Sequence, residues 1–511
     1  MNRLLQMTET MPFRSTARQA IVVLLLLAGA VELTGCVTTD TSLVTNRKRA
    51  YGYTWAQEVQ LGQENDAAII AQYGLYDNPA LASYVDQLGQ ELVRYSEARG
   101  PSAPAEVRQT PFYFRLLDSP VVNAFALPGG YVYVTRGLMA HLDNEAQLAV
   151  VLGHEIGHVI GRHSSIRAAT QAFGQALLLG SAVGGQVLFG GDAASSILQG
   201  GSQVAQLAFL SYGRDAERES DDLGLKYGAQ AGYDIDEAAE FFRSLKRLSA
   251  DSGSSIPSFM STHPDPGERE ATIHRMAAEW EQSHGVGKTL REEYLARLDG
   301  MIAGEDPRNG FTQDGVFYHP GMAFQFPVAD GYQVINQPSQ VVMVASDQAS
   351  VIRFYLESGV STAREAAEQF AAQEGVVVVQ SGLGSAYGLP AQFVIVDAAD
   401  GQGNTTRARA HFVQYNNQVY AFLGMAAQAN YSERERGFIR TMQGFAPLRD
   451  PAVLNMQPSL IQVRPVARTA AFQSLIPPNG VAGFSAQELA IMNQVELGDQ
   501  IPAGRRVKLV N

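Results

Sequence analysis

Val151-Leu152-Gly153-His154-Glu155-Ile156-Gly157-His158-Val159-Ile160-Gly161-Arg162-His163 is the most informative run of this 511-residue chain. Two histidines four positions apart on a helix lie one above the other, so His154 and His158 can reach one metal ion with Glu155 beside it. Asp143 or Asn144 can cap a helix that runs through Ala146, Leu148, Ala149, Val150, Val151 and Leu152 into the motif. Such an apolar helix is expected to be buried. The alternative is a core helix whose imidazoles only satisfy neighbouring carbonyls. A carboxylate in that apolar surface is costly without a charged partner, which favours the metal.

Zinc held by two such histidines needs a third protein ligand and one open position for water. Downstream, Ser211 to Gln230 carries Arg214, Asp215, Glu217, Arg218, Glu219, Asp221 and Asp222 on a helical pattern. Glu217 is the expected third ligand. Asp221, one turn later on the same face, is placed to accept from a ligand imidazole and fix its tautomer. Taken alone, the same charges would suit a solvated helix. Helices are expected over Thr54 to Tyr73 and Asn78 to Ala98, and strands over Phe112 to Asp118 and Gly130 to Thr135. The pair Gly129-Gly130 before an alternating strand permits close backbone approach, so Gly129, Gly130 and Tyr131 are expected to form a sheet edge that binds an extended substrate peptide. A plain turn into a structural strand explains the same residues equally well. Ala168 to Leu210 is rich in small residues but interrupted by Gln175, Ser181, Gln186 and Asp192. Two close-packed helices and a mobile loop are expected there, as a lid beside the metal.

Four segments then combine: Asn123 to Gly137, His154 to His158, Glu217-Arg218-Glu219-Ser220-Asp221 and Ser261-Thr262-His263-Pro264. Together they resemble the HtpX and CAAX-prenyl endopeptidase family of zinc metallopeptidases, with its soluble periplasmic branch nearest, over roughly residues 50 to 280. The resemblance implies that His154, His158 and Glu217 hold one Zn2+ and that Glu155 is the catalytic carboxylate. It also implies a mainly α-helical, zincin-type domain with a small edge sheet. Gly213 stands where a serine is common, and no tetratricopeptide array follows the peptidase. His263, stiffened by prolines and biased towards an extended backbone, is expected either to donate to the oxyanion or to occupy the open metal position in a resting state.

At the start of the chain, Arg14 and Arg18 precede the apolar run Ala20 to Val31, which ends in Leu33-Thr34-Gly35-Cys36. This resembles a bacterial lipoprotein signal over residues 1–35, implying cleavage before Cys36, lipidation there and a polar tether over 36–49. A plain membrane anchor or a secreted protein with a spare cysteine is the alternative. Cys36 is the only cysteine, so no internal disulfide can form. Val37 after it, rather than Asp, implies the periplasmic side of the outer membrane. A formal net charge of −13 and the lack of a basic cluster argue against a nucleic-acid partner.

The length calls for two or three domains, and the fold class expected is α+β multidomain. A peptidase domain over 50–299 and a linker over 300–316 precede an α+β sheet domain over 317–447, whose pattern resembles PsbP-like folds. Its strands are expected at Phe317 to Val334, Gln340 to Ala345, Ser350 to Glu357, Val376 to Ser381, Ala391 to Asp397, Arg407 to Tyr415 and Val419 to Met425. Capping boxes at Thr362 to Glu365 and Ser432 to Glu435 open two helices. Residues 460–511 follow a βααβ order with helices near Ala470 to Ile476 and Ala486 to Asn493, resembling a LysM module. That resemblance implies peptidoglycan binding; a structural cap is equally consistent. The function expected is zinc-dependent endoproteolysis of misfolded or misassembled envelope proteins. The rival is a proteolytically silent or latent chaperone or peptidoglycan-binding adaptor.

Overall fold

The protein is seen in a computed structural model that describes residues 37–171, 212–251, 258–264, 268–399, 404–478, 480–481 and 483–511. The signal segment, Cys36 and most of the expected lid, residues 172–211, lie outside these.

The chain is an α+β multidomain protein. Of the tether expected over 36–49, residues 38–49 instead enter a hairpin of β1 (Thr38–Thr41) and β2 (Lys48–Tyr51). Helix α1 (Trp55–Tyr73) opens on a capping box between Thr54 and Gln57, and α2 (Pro79–Val93) on Asn78 with proline at its first position. Strands β3 (Tyr113–Leu117), β4 (Ala124–Leu127) and β5 (Tyr131–Thr135) form a sheet in the order β3-β5-β4. There follow α3 (Arg136–His141), α4 (Glu145–Gly161), α5 (Arg214–Gln230), α6 (Glu237–Asp251), α7 (Ser258–Thr262), α8 (Arg269–His284) and α9 (Arg291–Leu298).

The sheet order corrects one expectation. β5 lies in the middle, parallel to β3 and antiparallel to β4, so Gly129-Gly130-Tyr131 does not lead into an edge. All three residues are buried. The close approach that the glycines allow is to α1: a Cβ on Gly129, at φ +79, would lie 2.4 Å from Val59 Cα. Tyr131 stacks on Tyr113 with ring centroids 4.8 Å apart. Among the described residues, the strand with a single strand neighbour that packs beside α4 is β4.

Helix α4 starts because the Asn144 side chain accepts the Gln147 N–H at 3.0 Å, while Asp143 is taken by Arg291 at 2.6 Å. It stops at Arg162, which adopts the left-handed conformation with φ 55. Every residue of α4 is buried. It meets α5 through two glycines, since a Cβ on Gly224 would stand 2.7 Å from His154 N and one on Gly153 2.9 Å from Gly224 Cα. Backbone-close packing of this kind sets the acidic face of α5 directly over the two motif histidines.

The second domain begins earlier than expected, because β6 (Phe311–Gln313) lies inside the presumed linker and pairs with β7 (Val316–His319). The single long strand expected from Phe317 to Val334 is split among β7, β8 (Phe324–Pro327) and β9 (Tyr332–Gln337). With β10 (Gln340–Ala345), β11 (Ser350–Glu357), β12 (Val376–Ala386), β13 (Leu389–Ala399), β14 (Thr405–Tyr415) and β15 (Gln418–Ala427), β9 makes an antiparallel sheet ordered β12-β13-β14-β15-β11-β10-β9. One core gathers Phe324, Phe326, Phe354 and Phe422; the other packs α10 (Ala363–Ala371) against Val394 and Phe412. Thr362 caps α10 as expected, but α11 (Tyr431–Gln443) starts before Ser432 and has no side-chain cap.

At the C-terminus, β16 (Ile461–Pro465) pairs with β17 (Arg506–Val510), and α12 (Ala486–Met492) opens on a Ser485–Glu488 capping box. The helix expected near 470–476 is instead a short strand, Ala470–Ala471, and a single 3-10 turn, Phe472–Ser474. Nor is 460–511 a free-standing unit. Phe472, Leu489 and Ile501 belong to the same continuous core as Leu148 of α4 and Leu295 of α9. Lys508 Nζ, fully buried, donates to Ala140 O at 2.9 Å and Leu142 O at 2.7 Å across that contact.

Candidate metal centre

The structure brings His154, His158, Glu217 and His263 together, with one donor atom from each and all four within 4.8 Å of one another. His158 Nε2 is 3.0 Å from His154 Nε2, and His263 Nδ1 is 3.2 Å from His154 Nε2. The Glu217 carboxylate faces them, with Oε2 3.5 Å from His154 Nε2 and Oε1 3.5 Å from His158 Nε2. His263 arrives on a different element. Its N–H donates to Phe259 O at 2.8 Å, so it closes a helical turn directly after α7 rather than standing in the extended loop expected from its prolines. Phe259 N in turn donates to Val122 O, which pins α7 beside β4.

Two imidazoles and a carboxylate, buried and converging, are a donor set that fits zinc, with a third imidazole able to take a fourth position. A further observation points the same way. Both carboxylate oxygens of Glu155 and His263 Nε2 are buried without a hydrogen-bond partner among the described residues, although Glu155 Oε1 and His263 Nε2 face each other at 3.4 Å. Leaving a carboxylate so is expensive, and in a well-packed protein it marks a site kept for chemistry.

Asp221 stands where expected, Oδ1 2.9 Å from His154 Nδ1. Arg269, at the start of α8, holds both acids: Nε donates to Asp221 Oδ2 at 2.7 Å and Nη2 to Glu217 Oε2 at 3.0 Å. Nothing in helical spacing singled Arg269 out, because its partners lie about fifty residues upstream. Tyr212, also missed, stacks over His158 with ring centroids 4.2 Å apart and exchanges a hydrogen bond with Ser164. His163 lies behind His158, and its position five residues after the motif was the only available signal.

The electrostatics suit the chemistry. Burial lowers the His158 pKa well below its ordinary value and the neighbouring imidazoles add to this, so it is neutral as a metal ligand must be. Burial pushes Glu217 up, but His263, His154 and Arg269 outweigh it and hold the carboxyl below its usual range. For Glu155 burial wins over the attraction of His263 and His154, and its pKa is raised. A raised carboxyl is matched to taking and returning a proton near neutrality.

Comparison with known proteins agrees with the motif reading. Residues 79–277 match the model of peptidase family M48, so the chain carries a domain of that family. The beta-barrel assembly-enhancing protease of Escherichia coli strain K12 is 28% identical over 260 residues, 50% of this chain and 51% of that one. The putative beta-barrel assembly-enhancing protease of Vibrio cholerae is 34% identical over 239 residues, 44% of this chain and 46% of that one. The mitochondrial metalloendopeptidase OMA1 of Arabidopsis thaliana is 30% identical over 180 residues, 35% of this chain and 34% of that one. The chain thus spans about half the length of the first of these relatives. A solved cyanobacterial PsbP from Synechocystis aligns with 27% of this chain and 91% of that one at 12% identity and a TM-score of 0.22, a level that carries no functional argument. No described helix is long and apolar enough to cross a membrane.

Proposed function

We propose, from a peptidase family M48 domain whose buried donors converge beside a glutamate that accepts no hydrogen bond among the described residues, that this chain is a zinc-dependent endopeptidase of the bacterial cell envelope. The carrying observation is the placement of His154, His158 and Glu217 donors within 4.8 Å, from two helices held at backbone contact, with Glu155 alongside. These three residues would hold one Zn2+. When bound, zinc supplies a water acidified towards a pKa of ~7 and polarises the scissile carbonyl.

Glu155 takes the water's proton on a carboxylate oxygen and returns it to the leaving amine. Asp221 keeps His154 in the tautomer that presents Nε2, and Arg269 holds Asp221 and Glu217 in place. Strand β4, which has no second strand neighbour among the described residues, is the edge on which an extended peptide would lie. The substrates proposed are misfolded or misassembled envelope proteins, supported by the names of the bacterial relatives. The lipobox at Cys36 supports an anchor in the outer membrane, facing the periplasm.

His263 supports one refinement, a latent resting enzyme. Its Nδ1 already stands among the other donors, where it would compete with water for the open position. The shared core of the C-terminal unit favours a structural cap over a glycan-binding adaptor. The proposal is tested by incubating the purified chain with an unfolded protein. Cleavage that stops on chelation and returns with zinc is expected, whereas cleavage indifferent to chelation contradicts it.

A further inference from the structure

From the ring nitrogen of His158 that points away from the other donors, a second chain of polar groups runs to the N-terminal hairpin. His158 Nδ1 is 2.9 Å from His163 Nδ1, and His163 Nε2 is 2.9 Å from Glu219 Oε2. Arg49 of β2 closes the chain with a two-pronged pair, Nη1 to Glu219 Oε2 at 2.8 Å and Nη2 to Glu219 Oε1 at 2.9 Å. His158 and His163 are buried; the Glu219 side chain is 14% exposed and that of Arg49 30%.

The hydrogen positions follow from this geometry once His158 Nε2 serves as a ligand. Its hydrogen must then sit on Nδ1, where the only ring nitrogen in reach is His163 Nδ1, which must therefore be the acceptor. His163 in turn carries its hydrogen on Nε2 and donates to the Glu219 carboxylate, whose two oxygens are matched by the two Arg49 donors. Ser220 Oγ, 3.3 Å from His163 Nδ1, is a weaker competitor for that lone pair. The arrangement mirrors the one behind the other histidine. His154 rests on a carboxylate–arginine pair directly, through Asp221 and Arg269, and His158 rests on one through an intervening imidazole.

We propose that His163 and Glu219 are positioning residues for the metal ligand His158, and that Arg49 anchors them from the hairpin that follows Cys36. The segment nearest the lipidation motif is then part of the support of the metal site rather than a slack connection to it. This rests on the metal reading of the site; zinc binding by the unaltered chain tests that reading separately.

The test measures the zinc dissociation constant of the full chain by competition with a chromogenic chelator, in Glu219→Gln and in Arg49→Ala, with the melting temperature of each zinc-free protein alongside. Loss of such a partner typically weakens metal binding by ~10–100-fold. Glu219→Gln is expected at or above the lower end, about 10-fold. Arg49→Ala, on a partly exposed hairpin and one link further out, is expected to weaken binding severalfold, with Arg49→Lys recovering part of the loss. Both zinc-free variants should melt as the parent does. Nitrogen NMR of labelled histidine supplies the signature that a structural role would not move: His158 held as the Nδ1–H tautomer in the zinc-free parent, and a mixture of tautomers in zinc-free Glu219→Gln. Unchanged zinc affinity in either variant, or a loss of affinity that tracks a fall in zinc-free melting temperature, overturns the proposal.

Discussion

Lys508→Met separates two opposing effects of one buried amine. In the folded chain Lys508 is wholly buried, and burial lowers its pKa to about 7, against the attraction of Asp143 and assisted by Arg291. In the unfolded chain it keeps a value near 10.5. The folded pKa is the lower one, so between these values the unfolded chain binds the extra proton and stability rises with pH, at ~1.4 kcal/mol per pH unit. From pH 7 to pH 9 the Lys508 contribution therefore grows by about 2–3 kcal/mol. At pH 9 the neutral amine has two hydrogens for its two acceptors, Ala140 O and Leu142 O. Methionine leaves both carbonyls at the end of α3 without that donor, at ~1–3 kcal/mol each before any relaxation. Lys508→Met should thus destabilise the docked C-terminal strands by roughly 2–4 kcal/mol at pH 9 and by much less at pH 7. Hydrogen exchange of the β16 and β17 amides, read as local opening free energies in both proteins at both pH values, measures this. A difference between parent and variant that is the same at pH 7 and pH 9 would refute the reasoning.

Three further outcomes are expected. Gly224→Ala places a Cβ 2.7 Å from His154 N, so α4 and α5 must separate; a stability loss of about 1–3 kcal/mol and weaker zinc binding should appear together in melting and chelator competition, and unchanged zinc affinity would remove the close approach from the account. His263→Ala should raise cleavage of an unfolded protein at neutral pH with zinc retained, whereas a drop of ~100-fold would show that His263 donates to the oxyanion instead. Cys36→Ser should abolish acyl labelling and release the chain from the membrane fraction; labelling that survives would refute the lipobox.

Local signals in the sequence were enough to place α4 and α5, because apolar spacing, Asn144 as cap and the acid run from Glu217 to Asp221 all act within a few turns. They also singled out His154, His158 and Glu217 as ligand candidates, whereas His263 came from the resemblance, and the strand over Ser350 to Glu357 matched β11 in full. What escaped depends on long-range pairing. Whether the strand after Gly130 is an edge or a centre is decided by β3 and β4, not by its own alternation. The polar residues of 38–49 suited a tether, yet their charges include Arg49, which is used by Glu219 some 170 positions away. Lys508, inside Arg506-Val507-Lys508-Leu509-Val510, looks like the solvent-facing member of an alternating strand. Its burial against α3 became visible only when the C-terminal unit was seen to share the peptidase core. The apolar run Ala470-Ala471-Phe472 is too short to distinguish a helix from a turn that a neighbouring strand, Gln500–Ile501, holds in place.

The most direct test of the central claim is Glu155→Gln, with bound zinc and cleavage measured on the same sample. Glu155 is fully buried, accepts no hydrogen bond among the described residues, and its amide replacement has the same shape, so the fold and the ligand set should remain. One zinc per chain with cleavage lost is the predicted result. Zinc retained with cleavage at the parent rate would contradict the assignment of Glu155, and with it the mechanism built around the helix from Glu145 to Gly161.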